Sequence, residues 1–292
     1  MDLDLLVNGI VAGSLYTLVA MGFNILYRPT NVFNFAQGDL VMLGAMLCAS
    51  SMAMWGLPWI AGAAIALGGV AIIGLVEERI AVAPVLRRSS SGHAWVITTL
   101  SFSMIIANLV GRIWGPDPIP VRPPPPLTTE TFDLFGMNIS SYQIALIVAT
   151  IALVFGVESF YRTRAGKAVM AVAEDREAAL LRGIAPEQLS RWSFLLGGAV
   201  AALAGVLAAP LLYASTGLGP SLLLKGFATA AVGGIGSNRG ALIAGYIIGL
   251  VEATAAVALS PGYQMAATFA AMLAILLVRP NGLFGRPEAR TV

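Results

Sequence analysis

Asp39 and Glu252 are carboxylates set in or beside long apolar runs, and Asn34 and Gln37 stand just upstream of the first in the stretch NFAQGD. A charge at the centre of a bilayer costs roughly 2.5–3.5 kcal/mol on insertion scales, so an acid kept there is a functional candidate by default. In an ion-coupled carrier such a group takes up the coupling proton or sodium ion. The plainer role is structural. Asp39, close to Arg28, then ties the joint between the first two spans, or caps the helix that continues through Leu43, and Glu252 holds a helix interface. Asn34, Gln37, Asp39 and Glu252 are the residues to expect along a solute pathway. Lys225 reads as a snorkelling residue, its stem in lipid and its amine at the headgroups.

A second set of reactive side chains lies in TRAGKAVMAVAEDREAALLRGIAP, residues 163–186. Arg164, Lys167, Glu174, Asp175, Arg176, Glu177 and Arg182 gather here in a chain with only 11% charged residues. No nucleotide chemistry goes with them. A phosphate-binding loop needs G-x-x-x-x-G-K-[ST], and the sole Gly-Lys pair, Gly166-Lys167, is followed by Ala168. Neither G-x-S-x-G nor H-E-x-x-H occurs, which argues against an intramembrane enzyme. His93, the one histidine, reads as a loop residue, so no metal site is expected. Cys48 has no partner for a disulfide. A net charge of +2 gives no footprint for nucleic acid.

The elements that position these groups follow from the apolar runs. The 292 residues are 58% hydrophobic, far more than one soluble core needs. A membrane helix takes about 20 apolar residues. The runs predict spans near 4–27, 31–54, 57–80, 95–114, 141–160, 192–214, 239–259 and 262–279. A short glycine-rich segment, 219–236, is either a crossing, a half-helix or a re-entrant piece, and GGIG at 233–236 marks a helix end or break. The fold class is therefore all-α, a polytopic membrane protein of about eight to nine spanning or half-spanning helices. The N-terminus MDLDLL lacks the basic region of a secretory signal, so the first span is expected to be retained.

Basic residues favour the cytoplasmic side. Arg87 and Arg88 mark loop 82–94, and Arg162, Arg164, Lys167, Arg176, Arg182 and Arg191 mark loop 161–191. The proline-rich loop 115–140 then lies outside, and the tail with Arg279, Arg286 and Arg290 inside. IIGLVE occurs at 72–77 and again at 247–252, each copy after a glycine-containing apolar segment. Under this topology the copies run in opposite directions, as in inverted transporter repeats. Gly9-x-x-x-Gly13 and Gly245-x-x-x-Gly249 allow helices to pack closely.

The insert itself predicts two short helices. Val169, Val172 and Ala173 fall on one face, as do Ala179 and Leu180 further on. Asp175 is suited to cap the second helix, Gly183 to end it, and Pro186 to stop continuation. Such a piece is too small for its own core. It lies on lipid headgroups or docks into a cytoplasmic protein. Ala, Val and Met with interrupting acids suit a packed protein groove better than lipid.

The pattern R-x-G-K-A…A-E-D…A-A-L-L-x-G-I resembles the cytoplasmic coupling loop of permease subunits in branched-chain amino-acid ABC importers. NGIVAGSLYTLVAMGFNILY with NVFNFAQGDLVMLGA is similar to that family's amino-terminal signature, with Gln37 where the family normally has His. KGFATAAVGGIGSNRGALIAGYIIGLVEA and VRPNGLFGRPE resemble its carboxyl-terminal end. The likeness spans nearly the whole chain and favours the LivH type of the two permeases. It implies one permease domain, 1–292, with 161–191 as coupling loop in a multi-pass protein of the bacterial inner membrane. It implies import of Leu, Ile and Val with a second homologous permease, two cytoplasmic ATPase subunits that bind ATP and Mg, and a periplasmic binding protein. Gly166, Ala173, Glu174, Asp175, Ala179 and Gly183 would meet the ATPase. An ion-coupled secondary transporter, or an ABC permease for urea or short amides, are the other readings.

Overall fold

The computed structural model describes residues 3–88, 94–134 and 136–285. Its helices are α1 (Leu3–Thr30), α2 (Gln37–Trp55), α3 (Trp59–Glu77), α4 (Ala83–Arg88), α5 (Ala94–Trp114), α6 (Ser141–Phe160), α7 (Arg164–Glu174), α8 (Arg176–Leu181), α9 (Pro186–Leu212), α10 (Leu218–Gly233), α11 (Asn238–Ala258) and α12 (Gln264–Val278). A π-helical turn, Glu78–Val82, joins α3 to α4. Eight helical stretches among the described residues are long and apolar enough to cross a membrane, and α10 is a shorter apolar helix. The protein is thus an all-α polytopic membrane protein. Among the described residues the strands are those of a small hairpin, β1 (Thr131–Leu134) and β2 (Met137–Ser140), with Thr131 opposite Ser140. It fastens the chain's start, because Asn138 donates from its backbone N and its Nδ2 to the Asp4 carboxylate at 2.7 and 3.0 Å.

Three expected boundaries move. The second span begins at Gln37, not near 31, because residues 31–36 leave the helix. The third runs on through the π turn to Leu86. The sixth begins at Pro186, six residues early. Pro186 does not merely stop the insert. It is the first residue of α9, where its missing N–H and fixed φ suit a helix start.

The helix ends sort onto two faces. Arg28 at the end of α1, the insert α7–α8, the start of α9 and the α10–α11 turn lie on one face, since Arg28 contacts both Met170 and Gly236. The hairpin and residues 119 and 214, joined by an isolated bridge, lie on the other. Hence α1 and α9 run in opposite directions.

These two long helices organise an inverted repeat. A Cβ on Gly13 would stand 2.5 Å from the Gly245 carbonyl, and one on Gly249 2.1 Å from that of Gly9. So α1 and α11 cross backbone to backbone, as small residues allow. A Cβ on Gly74 would stand 2.5 Å from the Phe194 carbonyl, and one on Gly198 2.7 Å from that of Val70. So α9 crosses α3 in the same way. The sequence offset from Gly74 to Gly249, and from Val70 to Gly245, is the offset between the two IIGLVE copies. Each half thus lends its long helix to the other half's IIGLVE helix.

The second helix of each half starts inside the bundle. Gln37 packs on Gly22, two turns before the end of α1. Asp39 accepts a hydrogen bond from Ser103 halfway along α5, and Trp114 at the end of α5 donates to Ser50. So α2 runs alongside α5 but starts roughly 10 Å deeper, at 1.5 Å per residue. The chain reaches α10 from the opposite face. Its first turn meets the first turn of α2, and a Cβ on Gly38 would stand 2.4 Å from the Gly219 carbonyl. Segment 219–236 is therefore a partial helix that begins within the bundle and ends on the insert face.

Candidate functional site

The insert is built on the stub of α6. The Thr163 hydroxyl caps α7 by accepting from the Gly166 N–H at 3.2 Å. Gly166 is pressed so closely on α6 that a Cβ would stand 2.2 Å from the Phe160 carbonyl. Val169 and Val172 are buried. Arg28 anchors this region: its Nε donates to the Gly236 carbonyl at 2.7 Å, and its guanidinium lies 4.1 Å from the Tyr161 ring centroid. Asp175 stands between the two short helices in extended conformation, and its Oδ1 accepts from the N–H groups of Glu177 and Ala178, each at 2.9 Å. This is the cap that its residue type predicts. Gly183 ends α8 with φ of +80°, the left-handed region where glycine carries no Cβ penalty.

The faces differ from those expected. Ala173 does not share the buried face of Val169 and Val172 but is exposed, as are Glu174 and Asp175. Ala179 is buried, so it packs within the chain and offers no surface to a partner. Leu180 does not follow it inward: it is 56% exposed, and Leu181 is 90% exposed. Successive helical residues point about 100° apart, so one of this trio turns in and the other two turn out. Leu180 and Leu181 thus leave an exposed apolar edge on α8, and Ala173, Glu174 and Asp175 are exposed at the end of α7. Leu181 was missed from the sequence. Its signal was a leucine pair in the most polar stretch of the chain.

A second site lies at the start of α2. The Asn34 Oδ1 accepts from the Ala36 N–H at 2.8 Å, and its Nδ2 donates to Glu77 Oε2 at 2.9 Å. Gln37 is 0% exposed, and neither polar atom of its amide has a hydrogen-bond partner among the described residues. Asp39 lies in the first turn of α2, whose N-cap position is Ala36, so it is not the cap. Its carboxylate accepts from Ser103 of α5, so this partner is not in the joint between the first two spans. Three of the four expected pathway residues, Asn34, Gln37 and Asp39, thus gather here.

Glu252 sits elsewhere. It accepts from Tyr16 Oη at 2.6 Å and from Lys225 Nζ at 2.5 Å, while Lys225 also donates to Tyr16 Oη at 3.1 Å. Lys225 does not snorkel. It closes an ion pair joining α1, α10 and α11, because pairing inside relieves two charges at once. Glu77 and Glu78 were not foreseen as buried, since EER at the end of an apolar run resembles a membrane edge. His93 lies outside the described residues.

Along α5, Ser101, Asn108 and Arg112 share an exposed stripe with Met104, Ile105 and Leu109. Polar side chains on an exposed face of a spanning helix do not suit lipid.

An interlocked inverted repeat of membrane helices, with polar groups at the start of α2 inside it and a buried ion pair between α10 and α11, has the architecture of a membrane transport permease. Residues 5–276 match the family model described as branched-chain amino acid transport system / permease component, and the chain belongs to that family. It is 32% identical over 300 residues to the high-affinity branched-chain amino acid transport system permease protein LivH of Escherichia coli strain K12, covering 98% of this chain and 96% of that protein. BraD of Pseudomonas aeruginosa, named as the corresponding permease, is 32% identical over 303 residues, covering 99% and 98%. A probable LivH of Methanocaldococcus jannaschii is 28% identical over 300 residues, covering 96% and 92%. Among solved structures, PsaBC from Streptococcus pneumoniae in complex with Fab shares the fold, with TM-score 0.52 and 13% identity over 95% of this chain and 92% of that one. The protein is a LivH-type permease of the inner membrane, and this sets aside the ion-coupled carrier.

Proposed function

We propose that this chain is one of two membrane subunits of an ATP-binding-cassette importer for leucine, isoleucine and valine, with α7–α8 as its docking element for a cytoplasmic ATPase. One observation carries this reading: a capped, two-helix insert presents Leu180 and Leu181 outward in a chain that has no phosphate-binding loop. Exposed leucines on a rigid, polar-edged helix pair match a protein groove, where apolar anchors enter and acids make charge-assisted contacts at the rim. Glu174, Asp175 and Gly183 then shape the docking surface, Ala173 contributes to it, and Gly166 and the buried Ala179 hold it in place. The second, homologous permease packs on the stripe of α5, and Asn34, Gln37 and Asp39 border the pathway. A periplasmic binding protein delivers the solute, and the partner ATPases bind ATP and Mg.

The purified chain alone is expected to turn over no ATP. Two soluble ATPase subunits and the second permease should restore hydrolysis, and with the binding protein present, leucine uptake in vesicles. ATP turnover by the chain alone, abolished by a mutation within it, would refute the reading.

The orientation follows from the basic insert. In a Cys48→Ala background, Arg182→Cys should react with an impermeant maleimide only from the cytoplasmic side. Thr128→Cys, in the exposed proline-rich loop, should react only from outside. The reverse pattern would invert the topology.

A further inference from the structure

The π turn at Glu78–Val82 interrupts the ladder of a membrane helix, and such turns concentrate at functional sites because they re-aim side chains. Here the turn begins beside two consecutive buried acids. Glu77 reaches the joint before α2 through Asn34. Glu78 reaches α9, where its Oε1 accepts from Ser190 Oγ at 2.9 Å. Its other oxygen, Oε2, is buried without a hydrogen-bond partner among the described residues. Glu78 borders a cavity of about 20 Å³ that is also lined by Ala83, Leu86, Arg176, Glu187, Ser190 and Arg191. That is room for about one water-sized group.

The lining residues come from three elements. Glu187, Ser190 and Arg191 belong to α9, which already holds Glu78. Arg176 alone comes from the insert: it opens α8, directly after the Asp175 cap. We infer that Arg176 and Glu78 form the link that passes movement of the insert to α3, the Arg176 guanidinium closing on the free Glu78 oxygen when the ATPase displaces α8. A carboxylate with one oxygen unsatisfied inside the protein gains most from a guanidinium, whose N–H groups make the strongest charge-assisted bonds. The π turn that continues α3 is the part able to respond, since the regular ladder is already broken there. Through Glu77 and Asn34, the same turn is joined to the half-depth start of α2. The contact therefore connects the docking element to the polar groups beside the proposed pathway.

The inference rests on the reading that the insert receives an ATPase, and the test separates the two. The complete transporter is reconstituted in vesicles with Arg176→Gln, Glu78→Gln or both, and leucine taken up per ATP hydrolysed is measured. Loss of folded protein lowers both quantities together and leaves the ratio unchanged. Each single variant should lower the ratio by about tenfold, within the usual range for a coupling contact. The double variant should fall no further, since all three lack the same contact. Arg176→Lys should recover part of the loss. Arg176 begins an exposed short helix, so its substitution tests the link even where Glu78→Gln fails to accumulate. An unchanged ratio in Arg176→Gln, or losses that multiply in the double variant, would overturn the inference. Failure of the wild-type chain to recruit any ATPase would instead overturn the reading beneath it.

Discussion

Lys225→Met should destabilise the protein by about 3–5 kcal/mol, the usual effect of removing one partner from a buried ion pair. Glu252 is only 4% exposed, and its two oxygens are held by Lys225 and Tyr16. Without the ammonium, a carboxylate is left inside the membrane bundle where three helices meet. Lys225→Met combined with Glu252→Gln should recover most of the loss. The amide carries no charge, occupies nearly the same volume and still accepts from Tyr16. The measurement is the thermal midpoint in detergent. At roughly 2–4 °C per kcal/mol for chains near this size, the single variant falls by about 10 °C and the double by much less. A single variant within 1 °C of wild type would mean that Lys225 reaches the headgroups after all and the pair is not formed.

Leu181→Asp should abolish ATPase association and uptake while leaving the chain in the membrane at its normal level. Leu181 is 90% exposed, so the change removes almost nothing from the protein's own packing. In a docked complex it removes an apolar anchor contributing about 1.5–3 kcal/mol. It also places a carboxylate in a closed apolar groove, which costs more than the roughly 1–3 kcal/mol of a neutral polar group buried there without a partner. Together these weaken association about a hundredfold or more, at 1.4 kcal/mol for each factor of ten. Leu180→Asp should act in the same direction. Glu174→Gln, at the rim, should shift affinity only a few-fold. Pull-down of the ATPase subunits beside vesicle uptake decides the matter. Full association by Leu181→Asp, Leu180→Asp and the combined variant would show that this edge rests on lipid.

Much of the fold could be read from apolar run length, because a bilayer imposes a fixed span. Spans such as 94–114 and 141–160 stand within a residue of their expected limits for that reason. Starts inside the bundle were harder to see. Residues 31–36 carry no proline or glycine, and a break held by Asn34 and Glu77 leaves no mark in hydropathy. The IIGLVE echo did signal the repeat, since close crossings fix both glycine and register in each copy. Side-chain pairings resisted prediction most. Lys225 and Glu252 lie on different helices, and although Glu252 reads as an interface residue, Lys225 alone resembles a membrane-edge charge, so their pairing leaves no local signal. Asp175 and Gly183 were readable because a cap and a left-handed turn are local. Ala173, Ala179 and Leu180 were not, because their burial depends on how the short helices rotate against α1 and α9.

The crossing of α1 on α11 has a consequence for biosynthesis. The first helix to leave the ribosome is complete at Thr30, yet its main partner begins only at Asn238. At about 5–20 residues per second, translation keeps them apart for roughly 10–40 s. During that interval α1 must stay in the bilayer with Tyr16 and Asn24 without their later partners Glu252 and Ser237, and the finished protein buries both. Lipid offers those groups no hydrogen bonds, so the nascent helix needs shelter at the insertion machinery or from a transient neighbour. Neither half of the repeat can close early, because each waits for a helix that belongs to the other. A ribosome stalled before α11 should therefore leave α1 open to degradation, and the quality-control proteases of the membrane would meet this chain first at its amino-terminal helix.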